Sequence, residues 1–169
     1  MATQQKQTLF DGGWFSYNEL DNGITYLEEA KDGVTVLCHD FKKQMFLLLH
    51  ERCASTLSLK PVLCSLTGSI DEGENPDDTA LREVAEEAGV VMLPENMYFL
   101  STIYTYKACT KKTHVYFADI TDCAFTHPVG DGSEIEEEAY VRWHSLEDLL
   151  ACKDSLLLAN YTLALPFLT

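Results

Sequence analysis

Apolar positions recur along this chain with two periods. Aliphatic and β-branched runs at residues 33–38 and 45–51, separated by the polar turn Asp40-Phe41-Lys42-Lys43-Gln44, predict a hairpin. A loop at 54–60 leads to a short strand at 61–66. Residues 98–106 and 113–119 alternate as a second strand pair, joined by the lysine-bearing stretch 107–112, and 138–143 reads as a further strand after a loop over 125–135. Upstream, the turn signals Gly12-Gly13 and Asp21-Asn22-Gly23 break residues 10–30 into apolar runs. These predict a small hairpin within an N-terminal extension, 1–30, whose polar stretch at 1–8 is expected either to fray or to be ordered only by contact with something else.

The period becomes helical at 76–88. Asn75 is a good N-cap, Pro76 suits the first helical position, Asp77 and Asp78 match the positive end of the helix dipole, and Gly89 suits a left-handed C-cap. Leu81, Val84, Ala85 and Ala88 make the apolar face expected to pack on a core. Ser145 predicts a second helix to about Cys152, and 156–165 a final, mostly apolar one. Strands, helix, strands, helices in this order predict an α+β fold, an α/β/α sandwich on a mixed sheet, in a single domain over 1–169.

Charge and cysteine usage narrow the function classes. A net charge of −15, from 27 acidic and 12 basic residues, argues against binding to nucleic-acid backbone or anionic membrane. Six scattered cysteines without a C-x-x-C pair, and the lack of a secretory or membrane-spanning apolar run, predict a reduced, cytoplasmic protein without a zinc centre. Trp14, Phe15 and Tyr17 cluster in the extension, where core packing or a homodimer interface competes with stacking on a nucleobase. For the 107–112 lysines a solvated turn is preferred over a phosphate contact.

The chemistry concentrates on the other face of the first helix. Glu83, Glu86 and Glu87 fall at i, i+3 and i+4 near the negative end of the helix dipole, where carboxylates repel one another. A hard divalent cation, Mg²⁺ or Mn²⁺, turns that arrangement into a favourable one, so the cluster reads as a metal site.

At these residues the chain resembles the Nudix hydrolases. Gly68, Glu74, Arg82, Glu83, Val84, Glu86, Glu87, Gly89 and Val90 match the box G-x5-E-x7-R-E-U-x-E-E-x-G-U, U being apolar, across residues 68–90 with no departure. The resemblance implies a Nudix-type fold and divalent-cation-dependent hydrolysis of a nucleoside diphosphate linked to a group X. It implies Glu83, Glu87, Glu86 and the Thr67 carbonyl as metal ligands. Arg82 and Glu74 would orient the cluster, and Gly68 and Gly89 shape the box. The general base would be a box glutamate, Glu83 or Glu86, or Glu137 from the acidic run Glu134, Glu136, Glu137, Glu138. The long extension, the lead-in Leu66 to Glu74 and the tail Lys153-Asp154-Ser155 resemble the branch acting on ADP-ribose and nucleotide sugars, which also implies a possible homodimer. Tyr106 and the stretch Ala139 to Trp143 look instead like hydrolases of dinucleoside polyphosphates. Trp14, Arg52 and Tyr106 are the candidate substrate contacts. A module that senses a nucleotide without cleaving it is the remaining alternative.

Overall fold

The computed structural model describes residues 5–53, 60–128 and 138–168. The predicted loop at 54–60, most of that at 125–135, and Glu134, Glu136 and Glu137 therefore lie largely or wholly outside the described residues.

A seven-stranded mixed sheet runs through the middle. Its strands are β4 (Gly33–Asp40), β5 (Met45–Glu51), β6 (Val62–Cys64), β7 (Leu66–Ser69), β9 (Met97–Tyr104), β10 (Lys112–Asp119) and β12 (Tyr140–His144). The order is β12-β5-β4-β10-β9, with β6 on β5 and β7 on β4. β4 and β10 are parallel, and every other pair in the sheet is antiparallel. The single strand expected at 61–66 is two strands, because the chain leaves β5 at Ser65 and joins β4. The buried Ser65 hydroxyl donates to Asp154 at that crossing (3.0 Å).

Strand alternation separates two cores. Val34, Val36, Cys38, Leu47, Leu49, Tyr116 and Ala118 face helix α1 (Pro76–Ala88), while Leu37, Phe46, Leu48 and Phe117 face α2 (Leu146–Leu150) and α3 (Ser155–Ala164). Helices on both faces make the α/β/α sandwich expected from the element order. The buried Asn160 amide on α3 donates to Thr35 on β4 (2.8 Å), tying the second helical layer to the central strand.

The N-terminal extension differs from expectation. It is a three-stranded antiparallel sheet, β1 (Lys6–Asp11), β2 (Phe15–Leu20) and β3 (Thr25–Glu29), and β1 starts inside the stretch expected to fray or to be ordered only by contact. Its centre is polar: Asn18 is fully buried, and its side chain meets Thr8, Ser16 and Glu28. Hydrogen bonding supplies what an apolar core would elsewhere, so Phe10, Trp14 and Tyr17 stay exposed. Core packing for Trp14 and Tyr17 is thereby corrected. Two short strands, β8 (Val90–Val91) and β11 (Ala124–Phe125), pair beyond α1.

Candidate functional site

Helix α1 is positioned by both of its caps. Asn75 Oδ1 accepts from the Asp78 amide (2.9 Å), and Gly89 takes φ 64°, where a Cβ would strike the Thr126 carbonyl. The face that meets the sheet is Ala80, Val84 and Ala88, flanked by Thr79 and Glu83, while Leu81 and Ala85 are only half-buried. The helical phase is therefore rotated from the expected one. Glu83 does not stand opposite the core face; it is 8% exposed and lies over the backbone of Gly68. A Cβ at Gly68 would overlap the Glu83 carboxylate and its Cγ, so only glycine leaves room for it there.

Arg82 organises the acidic groups. Its Nε and Nη2 bond the two Glu74 carboxylate oxygens (3.0 and 3.1 Å), Nη1 reaches Glu83 (2.8 Å) and Glu86 (2.9 Å), and Nη2 also donates to the Ser69 carbonyl (3.3 Å). The fork drives Glu74 down to about 2 through its hydrogen bonds to Arg82, with burial opposing. The same bonds, led by that to Glu74, push Arg82 further up. Arg82 is thus a clamp whose donors are committed. Glu87 is held separately, accepting from the Thr67 amide on β7 (3.2 Å).

These groups line a cleft of about 580 Å³ between α1 and the sheet edge. Its walls hold Thr67, Gly68, Arg82, Glu83, Glu86 and Glu87, and also residues that motif reasoning missed: Glu51 at the end of β5, Glu29 at the end of β3, and Lys31. Lys111, which was expected in a solvated turn, is in the wall and paired with Glu29 (2.8 Å). No local pattern marks Glu29, Glu51 or Lys111, because each enters the cleft through strand pairing over a long sequence separation.

The expected substrate contacts lie elsewhere. Trp14 is 69% exposed and packs edge-on against Phe15. Arg52 forms a two-pronged ion pair with Glu138 (2.7 and 3.2 Å). Tyr106 stands with Tyr104, Lys107 and Lys112 in a neighbouring hollow of about 650 Å³. None of the three is in the cleft wall.

Among the described residues, no three acidic, cysteine or histidine side chains already converge as a preformed metal centre. Arg82 and the Thr67 amide hold the carboxylates instead. The donor set nevertheless fits a hard cation: Glu83, Glu86, Glu87 and the β7 backbone offer only oxygen ligands, grouped on one wall of one cleft. What the site can do chemically is gather positive charge against an anionic substrate.

Comparison with known proteins agrees with this frame. A family model described as NUDIX domain matches residues 29–162. A solved structure titled as that of an ADP compounds hydrolase superposes with a TM-score of 0.72 at 19% identity, over 98% of this chain and 93% of the other. No curated protein matches the chain.

Proposed function

Since the chain belongs to the NUDIX domain family, we propose that it is a pyrophosphohydrolase and cleaves the pyrophosphate bond of a nucleoside diphosphate linked to X, with ADP-ribose or a nucleotide sugar as substrate and a nucleoside monophosphate and a sugar phosphate as products. The observation that carries the reading is the grouping of Glu83, Glu86 and Glu87 on one wall of the 580 Å³ cleft, with Glu83 seated over Gly68. The solved structure that shares the fold is titled for ADP compounds, which supports the adenine nucleotide choice.

Glu83, Glu86, Glu87 and the Thr67 carbonyl would hold Mg²⁺ or Mn²⁺. Bound there, the cations supply charge neutralisation of the diphosphate and a lowered pKa for attacking water. The chain's own part is geometric. Arg82 and Glu74 fix the turn of α1 from which the glutamates project, and Gly68 clears the floor beneath Glu83. The proton of the attacking water goes to Glu137 or to a box glutamate, Glu83 or Glu86.

A dinucleoside polyphosphate is the second reading, and it rests on Tyr106, which lines the adjoining hollow. Free cysteines at all six positions suit a reducing, cytoplasmic setting. The exposed aromatic side of the small sheet, with Phe10, Trp14 and Tyr17, offers a face for a homodimer.

Product analysis in Mg²⁺ with ADP-ribose, nucleotide sugars, dinucleoside polyphosphates and nucleoside triphosphates tests the proposal. Glu83→Gln and Glu87→Gln should each lower kcat by at least about a hundredfold with the fold intact. Near-normal turnover by Glu87→Gln would remove the metal site from the reading. ADP-ribose bound but never cleaved by the wild type would make the protein a sensor. Glu137→Gln with kcat unchanged would assign the base to the box.

A further inference from the structure

The cleft has a second wall that the box does not specify. Thr113, Gly33 and Ser69 lie in one row across β10, β4 and β7. A Cβ on Gly33 would come within 2.9 Å of the Gly68 carbonyl oxygen and 3.3 Å of Lys111 Cε, so the Lys111 chain runs over this second glycine. Lys111 lines the same cleft as Glu83, Glu86 and Glu87. Both Lys111 and Glu29 are about three-quarters buried, and the small sheet holds them in place. Leu27 on β3 donates to the Ala108 carbonyl (2.8 Å) and accepts from the Thr110 amide (2.9 Å), bracketing the loop that carries Lys111.

Of the other cations lining the cleft, Arg82 is committed to Glu74, Glu83 and Glu86, and Lys31 is a half-exposed partner of Asp71 (2.6 Å). Lys111 is therefore the cation placed to meet the second phosphate of a diphosphate whose first lies at the glutamates. Its present partner, Glu29, carries the charge that a phosphate would replace.

We infer that the Lys111–Glu29 pair sets the length of the phosphate chain the site accepts, selecting two linked phosphates followed by an uncharged, hydroxyl-bearing group. The inference rests on the pyrophosphatase reading above and names the residues that restrict it. Lys111 transfers its ammonium from Glu29 to the second phosphate, and Glu29 then accepts hydrogen bonds from hydroxyls of X. A third phosphate in the place of X would face the Glu29 carboxylate, and like charges brought together in a half-buried site are strongly disfavoured. Lys111 is on this view a positioning residue and Glu29 a specificity residue, and neither takes part in bond breaking.

Steady-state kinetics with ADP-ribose and diadenosine tetraphosphate test the pair. Glu29→Gln should shift the ratio of kcat/KM toward the tetraphosphate by about tenfold or more, mainly through KM. Lys111→Met should raise KM for ADP-ribose about tenfold with kcat within about threefold of wild type, and Lys111→Arg should restore most of it. An unchanged ratio in Glu29→Gln, or a Lys111→Met defect confined to kcat, overturns the inference. If the wild type cleaves neither compound, the pyrophosphatase reading fails on its own. Calorimetric binding of the same two ligands without divalent cations then decides the pair: a preference for ADP-ribose that Glu29→Gln abolishes supports it, and equal binding of both ligands by the wild type overturns it.

Discussion

Glu83 occupies the space that a side chain on Gly68 would need, and this sets a sharp expectation. Gly68→Ala has no backbone strain to overcome, yet its methyl would occupy the place of the Glu83 carboxylate. Turnover should fall by about a hundredfold while the melting temperature changes little, because the flexible glutamate can swing away. A second expectation concerns His39. Burial between Phe41 and Phe46 lowers its pKa, with Asp119 and Asp40 opposing, so the unfolded chain takes up a proton that the folded chain refuses. Stability from this group is complete above about pH 6.5 and declines as pH falls below it. Thermal melts from pH 8 to 5.5 should show that decline, and His39→Leu should reduce it, with His50, whose pKa burial also lowers, accounting for part of what remains. The box residues were legible in the sequence because their types and spacing are local. The seat of Glu83 was not: the apolar pattern of the helix starts at Leu81, whereas the sheet takes Ala80, and one position rotates the glutamate from an outer face into the floor of the cleft.

Among the elements, α1 was the most legible, since caps are written within one turn of either end. Asn75→Ala should cost about 1 kcal/mol. Gly89→Ala should cost more, because φ 64° disfavours any side chain and the Thr126 carbonyl blocks the methyl. In chemical or thermal denaturation the first should lower Tm by roughly 2–4 °C for a domain of this size. Other elements were hidden for a physical reason. The break at Ser65 exists because β4 and β5 diverge and offer successive partners, a fact of the sheet and not of residues 61–66. The small N-terminal sheet was underestimated because Asn18, a residue that ordinarily signals a turn, supplies its buried centre.

For the whole molecule, the two cores lie on opposite faces of the sheet and neither uses the site carboxylates except for the edge of Glu83. Chelation of divalent ions should therefore stop turnover and leave far-UV circular dichroism unchanged, while added Mg²⁺ should raise Tm through its binding free energy. Among the described residues no helix is long and apolar enough to cross a membrane, in keeping with the even spread of short apolar runs. The general sandwich was readable from the order of periods, but which strand neighbours which was not, since the parallel pair β4–β10 joins residues 33–39 to 113–119. That pairing has a consequence during synthesis. Fully buried β4 has one side covered by β5 and β7, and the other stays bare until β10 has left the ribosome. At about 5–20 residues per second the nascent chain carries an open, aliphatic strand edge for on the order of ten seconds, an interval in which a chaperone holding that edge would raise the yield of folded protein.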